Sequence, residues 1–533
     1  MAAASATATI DVFPSAEIAP VSKYIFSGFL EHLGRCIYGG ILPGGPDTFP
    51  HTPRNPCPSD QFVPTPKGLL TPEGFRADVL QVLRDELQMP LVRWPGGNYV
   101  QSYHWEDGVG PLEQRKRRPD PAWGSEESNR FGTNEFIQWC RVANIEPFII
   151  LNMGTGTLAE ALHWIEYCNG TGDTYYANLR RRHTGHDEPH NVKYWGLGNE
   201  VYGEWQVGQQ TAEAYAEQAR QWAHAIKLLD KDVILASCGE VGYNEWDNVV
   251  LTKLANSPKV QLHSIHLYTG FGPRDRTQQE REFARSVYGP EAAEYAIETC
   301  RSLINKALLT SKLPPRPFHI AFDEFGPWDE TVGTPENGLE QTYTLTDALA
   351  MASWMNVFVR QADVVSIACN AQSVNVISPL MTSPTAVLKQ PTFYPLLLFS
   401  QHMRDGKAVR VTVDSPAFTG ETLPTWIGTL KGSPKELDVS ATVKDSFLRI
   451  AVVNRSETQA HAARLRIAFR NIKADCEVDV HELWHVDVKA TNAFGGNEEN
   501  VAPKTWRAKW DSKEPWTFRE HSFTLLVIEL DAE

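Results

Sequence analysis

Between residues 22 and 405, short runs of aliphatic and β-branched residues alternate with longer stretches of helical period, and this alternation constrains the fold more than any other feature. Strands that each return through a helix lie parallel, and a parallel sheet needs cover on its faces. The runs are Ile25–Glu31, Leu91–Trp94, Phe148–Asn152, Val192–Glu200, Val233–Cys238, Leu262–Tyr268, Phe318–Glu324 and Val364–Cys369. They predict an α/β fold, a (β/α)8 barrel over residues 22–405. Thr71-Pro72 and the Thr157/Glu160 pair read as helix starts, and Thr211–Leu229, Ala292–Lys312 and Gln341–Arg360 read as long amphipathic helices.

Past residue 405 the apolar period changes to two, in Ala408–Val413, Leu437–Val443, Leu448–Val453, Leu465–Phe469, Val478–Leu483 and Phe523–Leu530. Residues 406–533 are therefore expected to form an additional antiparallel β-sandwich, jelly-roll-like in character. Within residues 1–21, the strand-like Ala8–Phe13 is expected to join that sandwich and bring the chain ends together.

At 533 residues, the chain is long enough for one large α/β domain with a smaller second unit. A net charge of −15 argues against nucleic acid or an anionic membrane as the main partner, and favours a neutral polymer or small neutral ligand. No apolar stretch approaches a membrane span. The first residues show neither a basic nor an apolar signal region, so a cytoplasmic location is expected. Eight cysteines without any C-x-x-C spacing read as free thiols, and the basic runs Arg115–Arg118 and Arg180–Arg182 as solvated loop charges.

Barrel enzymes carry their chemistry where strands end and βα-loops begin, because that rim gathers side chains from every strand. Glu31, Asn98, Asn199, Glu200, Tyr268, Glu324 and Gln372 fall at or just past such ends. Glu200 and Glu324 are the central pair. Cleaving a glycosidic bond with retention needs one carboxyl to protonate the leaving oxygen and a second, about 5–5.5 Å away, to attack the anomeric carbon.

Strand alternation would aim Asn199 and Glu200 at opposite faces, so the strand has to twist or bulge if both serve one ligand. At Asp323-Glu324 the same rule sends one side chain inward and the other away, without deciding which. The acid has to hold its proton near neutral pH and the nucleophile has to be ionised, which makes Arg93 and Tyr268 natural partners for Glu324. The turn Arg93–Asn98, with Gly96 and Gly97, brings backbone close to a ligand and presents Asn98. His263 and His266 lie three apart on a strand and point to opposite faces, so they cannot share an ion, whereas His266 and Tyr268 share a face and are expected in the cavity wall. No metal or cofactor is expected, and no serine-hydrolase elbow, P-loop or zincin motif stands out.

The segments Gly28–Gly40, Val92–Asn98, Trp195–Glu200 with Trp205–Gly208, His263–Tyr268, Asp323-Glu324 and Ala371–Val376 carry a resemblance. In these ordered motifs the chain resembles the α-L-arabinofuranosidases of glycoside hydrolase family 51 over essentially its whole length. The resemblance implies a retaining exo-hydrolase that removes terminal arabinofuranose from arabinan, arabinoxylan or derived oligosaccharides. It implies Glu200 as acid/base and Glu324 as nucleophile, with Glu31, Asn98, Asn199, Tyr268 and Gln372 around the arabinose and Asn199 near its 2-hydroxyl. A barrel with a C-terminal sandwich, no required metal and a homo-oligomer, frequently a hexamer, are implied as well. The chain departs from many relatives at Phe325–Trp328, where they place a tryptophan directly, and at Val201–Glu204, so leaving-group preference stays open. Paired carboxylates specify mechanism and not the sugar, which leaves an endo-β-glucanase or β-xylosidase as the alternative enzyme and a non-catalytic glycan-binding protein as the alternative outside catalysis.

Overall fold

The computed structural model describes residues 7–44, 65–270, 281–420, 432–468, 472, 477–511 and 514–531. The chain opens with β1 (Ala8–Pro20), followed by β2 (Ser27–Phe29), β3 (Leu91–Trp94) and a small hairpin, β4 (Arg118–Asp120) and β5 (Ser125–Glu127). Next come β6 (Glu146–Leu151), β7 (Tyr194–Leu197), β8 (Ile234–Ser237), β9 (Leu262–Thr269), β10 (His319–Pro327) and β11 (Val365–Asn370). Strands β2, β3 and β6 to β11 pair in parallel and close on themselves, so the barrel drawn from the alternation is the one observed. The near-continuous burial of these strands follows from helices on the outside and packed side chains within. A second hairpin, β12 (Leu380–Thr382) with β13 (Val387–Lys389), precedes the final barrel helix, Phe393–Met403.

Local signals succeed where no side chain offers the backbone a better partner. Thr211 caps the Ala212–Leu229 helix through its hydroxyl, as expected. Thr157 caps the helix Leu158–Asn169, but the Glu160 carboxylate turns to His104 Nδ1 at 2.9 Å instead of completing a capping box. Thr71-Pro72 starts no helix: Thr71 Oγ1 accepts the Phe75 N–H across a turn, and the helix begins at Ala77. The first barrel strand is shorter than expected, because Ser22 Oγ accepts the Tyr24 N–H and closes Lys23–Phe26 into a 3-10 turn. Two arginines read as solvated have enclosed side chains. Arg115 pairs with Glu135, and Arg180 lies in the Tyr175–Thr184 helix with its guanidinium on the carbonyls of Tyr167, Gly170 and Asp187.

The C-terminal unit contains β14 (Lys407–Asp414), β15 (Leu437–Lys444), β16 (Phe447–Asn454), β17 (His461–Ile467), β18 (Glu477–Leu483), β19 (Lys504–Lys509), β20 (Trp516–Phe518) and β21 (Ser522–Glu529). With β1 they form one sheet in the order β19-β18-β21-β16-β15-β14-β1-β17-β20. Strands near opposite ends of that order, β18 and β17, share one apolar cluster, so the sheet folds over on itself. Its ladders are antiparallel except that of β1 with β17. The short β20 and the exposed β19 escaped the apolar pattern because they bury little. Phe469 lies outside the described residues.

The sandwich rests on the helix Leu345–Arg360, whose Asn356 donates to Asp438 at 2.8 Å and accepts from Ser440 at 2.6 Å. At its end Arg360 pairs with Glu294 of the barrel and Asp438 of the sandwich, both at 2.8 Å. The described cysteines are free and buried, while Cys57 and Cys476 lie outside the described residues. Among the described residues no helix is long and apolar enough to cross a membrane. Replacing Arg360 by leucine strands two enclosed carboxylates, so the variant is expected to lose about 3–5 kcal/mol, read as a lowered urea midpoint in equilibrium unfolding.

Candidate active site

Two departures from regular strand geometry build the site. After β7 the chain turns through Gly198 at φ +81° and Glu200 at φ +44°, which lets both Asn199 and Glu200 face the same space. On β10 the register slips between Ala321 and Glu324 against β9, and between Phe322 and Phe325 against β11. This irregularity corrects the alternation argument: Asp323 and Glu324 both turn inward, and one guanidinium holds them both.

That guanidinium is Arg93 on β3. Nη1 pairs with Glu324 Oε1, Nε lies 3.2 Å from Asp323 Oδ2, and Nη2 donates to Asn199 Oδ1. Its flat face lies over Phe29 at 4.5 Å. Burial works against the charge, but Asp323 and Glu324 more than restore it and raise the Arg93 pKa. Glu324 also accepts from the Tyr268 hydroxyl at 2.7 Å. A Cβ on Gly97 would stand 2.9 Å from Glu324 Oε1, so the glycine is what lets this loop lie against the carboxylate.

Glu200 accepts from His266 Nδ1 at 2.9 Å and from the Trp205 indole at 3.1 Å. Burial pushes its carboxyl up, but these bonds together with the charges of His266 and Arg93 hold it below the usual carboxylate range. Burial likewise lowers the His266 imidazole, yet the charges and hydrogen bonds of Glu324, Asp323 and Glu200 push it up to about 10. Asp323 is lowered: burial raises it, and Arg93, His266 and Ser264 outweigh that.

Glu200, His266 and Glu324 present ligand-type atoms within 4.8 Å of one another. This grouping already contains its own positive charge, because His266 and Arg93 neutralise the carboxylates directly, and the chemistry of the set is that of an ion-pair network.

The expected set converges with additions. Glu31 Oε1 accepts the Tyr99 N–H at 3.0 Å and the Trp123 indole at 3.1 Å, and its Oε2 accepts from Gln372 Nε2 at 2.9 Å. Asn98 accepts from Gln206. Asn199 Nδ2 and Gln372 Oε1 are buried without a hydrogen-bond partner among the described residues. Sequence reasoning missed Trp123, Trp205, Gln206 and Ser264 as contributors. Trp205 and Gln206 stood inside a recognised motif, whereas Trp123 reaches the site from the loop joining β4 and β5, which carries no periodic signal. Trp328 packs edge-on against Tyr268 at 5.3 Å, so the shifted tryptophan still reaches the rim.

Residues 83–281 match the α-L-arabinofuranosidase 1 domain, and residues 323–522 match the α-L-arabinofuranosidase C-terminal domain. A probable α-L-arabinofuranosidase C of Aspergillus clavatus is 45% identical across 98% of this chain and 97% of its own length. The chain belongs to the family 51 α-L-arabinofuranosidases. An intracellular exo-α-(1→5)-L-arabinofuranosidase of Halalkalibacterium halodurans is 34% identical over 93% of each chain. The arabinose complex of the Thermotoga maritima α-L-arabinofuranosidase superposes with a TM-score of 0.79 at 34% identity, covering 98% of this chain and all of that one. The protein is thus a glycoside hydrolase of the α-L-arabinofuranosidase type, acting on arabinose-containing glycans.

The arabinofuranosidase site carries one pH signature of its own. Burial, with the charge of Glu324, outweighs the Tyr99 and Trp123 hydrogen bonds and raises Glu31 from 4.5 to about 7. The folded protein then binds this proton more tightly than the unfolded chain, so Glu31 favours folding most below about pH 4.5 and costs stability progressively as pH rises through about 7. The cost above that range is of order 3 kcal/mol. Glu31→Gln is expected to lower activity while its melting temperature, relative to the parent enzyme, improves between pH 5 and pH 8 in thermal scans.

Proposed function

We propose that the enzyme is an exo-acting α-L-arabinofuranosidase that hydrolyses with retention, through a covalent glycosyl-enzyme on Glu324. One observation carries the reading: Glu200 and Glu324, on the rims of β7 and β10, offer carboxylate oxygens within 4.8 Å of each other. Retaining glycosidases hold their carboxyls at about 5–5.5 Å, whereas inverting enzymes leave about 6.5–9.5 Å for a water. A separation this short supports direct attack on the anomeric carbon.

The roles divide by environment. Glu324 is held by Arg93 and Tyr268, donors that aim its oxygens and that stabilise the carboxylate released when the glycosyl ester breaks. Glu200 has the more exposed side chain, 15% against 8% for Glu324, and water reaches it for the second step. Glu31, Asn98, Asn199, Tyr268 and Gln372 surround the arabinose. The unpaired Asn199 Nδ2 and Gln372 Oε1 supply a donor and an acceptor for ring hydroxyls, Asn199 toward the 2-hydroxyl. Trp205, 62% exposed beside Glu200, offers the leaving sugar a stacking face.

Arabinan, arabinoxylan and arabino-oligosaccharides are the proposed substrates, and the exo-α-(1→5) relative favours arabinan linkages. The same relative's intracellular location, with the buried free thiols, supports an intracellular enzyme here.

Glu324→Ala is expected to abolish turnover, and azide to restore it as an inverted glycosyl azide seen by product NMR. Retained stereochemistry in that product would overturn the nucleophile assignment. Glu200→Ala should lose about 10²–10⁴-fold on alkyl arabinofuranosides and far less on activated aryl ones. Equal losses on both, in steady-state assays, would refute the acid role.

A further inference from the structure

Both ring nitrogens of His266 face carboxylates, and that restricts where protons can be. Nε2 lies 3.1 Å from Ser264 Oγ and 3.3 Å from Asp323 Oδ1. Nδ1 lies 2.9 Å from Glu200 Oε1 and 3.7 Å from Glu324 Oε1. The Ser264 hydroxyl donates its hydrogen to Asp323, so toward His266 it only accepts, and Nε2 has to carry a hydrogen. Asp323 is itself paired with Arg93 and stays ionised. An imidazole with hydrogen on Nε2 alone would aim the Nδ1 lone pair at Glu200, which only a protonated carboxyl could meet. One proton is therefore shared along the bond from Nδ1 to Glu200 Oε1.

We propose that in the resting enzyme this proton sits on His266 Nδ1, that Asp323 is the positioning residue that keeps it there, and that it passes to Glu200 as the leaving group departs. The proposal rests on the reading of Glu200 as the acid/base. The charges around the ring favour it from every packed element: Glu200 beyond β7, Asp323 and Glu324 on β10, and Arg93 on β3 facing the last two. Tyr202, Cys238, Glu240, Tyr268, Glu31 and Cys369 are further titratable groups around the network. Tyr202 donates to Glu200 at 3.3 Å, Glu240 is occupied by Asn244, and Tyr268 donates to Glu324. The raised imidazole and lowered Glu200 carboxyl agree with this placement.

Written as bonds, the Nδ1–H bond breaks and a hydrogen forms on Glu200. Glu200 then protonates the glycosidic oxygen as its bond to the anomeric carbon breaks and a Glu324 oxygen bonds to that carbon. In the second step a water oxygen attacks, its proton goes to Glu200 and on to His266, and Glu324 leaves as carboxylate. Protons balance over the cycle. Acid strength is thus set by an Asp323–His266–Glu200 chain, not by a carboxyl kept neutral by burial alone.

The test is direct on the unmodified enzyme. Nitrogen NMR with ¹⁵N-histidine, the His266 signals assigned by their loss in His266→Gln, is expected to show hydrogen on both ring nitrogens at pH 7 and still at pH 8. A singly protonated ring at either pH would overturn the proposal. In parallel, the basic limb of kcat/KM for alkyl arabinofuranosides should move down by about one pH unit or more in Asp323→Asn, with aryl substrates little changed on that limb. An unmoved limb would overturn the proposal too. Failure of the acid reading looks different: Glu200→Ala would then not separate alkyl from aryl substrates, whereas a failed relay leaves that separation intact.

Discussion

The buried Arg93 guanidinium is the interaction on which the site depends. It binds Asp323, Glu324 and Asn199 at once, so one cation from β3 ties together residues delivered by β10 and by the rim of β7. Among the described residues, four carboxyls, Glu31, Glu200, Asp323 and Glu324, crowd against two cationic groups, Arg93 and His266. Like charges in a buried volume cannot all be ionised without compensation, so the site recruits protons. The raised His266 expresses that imbalance directly, whereas Glu31 is raised first by burial and further by the charge of Glu324.

Removing a cation from such a cluster costs more than the pair it made. A carboxylate left buried and unpaired loses several kcal/mol of solvation, whereas an intact pair returns most of that. The same reasoning applies at Arg360, where a single side chain compensates carboxylates from barrel and sandwich. Both arginines sit where elements from distant parts of the chain meet, and both convert packing into a requirement for charge complementarity.

The barrel was legible because its signal is periodic: eight apolar runs separated by helical stretches leave few topologies, and each run falls on an observed strand. The motif residues at strand ends were legible for a related reason, since the barrel rim is a fixed place in the fold. What stayed hidden depends on tertiary contacts. The enclosure of the Arg115 and Arg180 side chains comes from partners distant enough that local charge density misleads. Trp123 reaches Glu31 from a short hairpin whose residues show no pattern, and β19 and β20 bury too little to alternate visibly. Ser264 carries no signal of its own in the sequence, yet its hydroxyl direction decides that Nε2 of His266 carries hydrogen.

The alternation rule failed at the two places where function requires it to fail. A regular strand supplies one inward side chain for every two residues, spaced about 6.5–7 Å apart, which is too sparse to surround a pentose with a charge network. At Glu200 a left-handed backbone conformation brings consecutive residues to one side, at a cost of order 1–3 kcal/mol for a non-glycine residue. At Asp323-Glu324 a register slip does the same within the sheet. Each distortion doubles the local density of polar groups, and Arg93 and His266 hold the doubled positions in place. The strain and the charge network therefore imply each other: without the distortions the carboxylates would not converge, and without the two cations their convergence would be unfavourable.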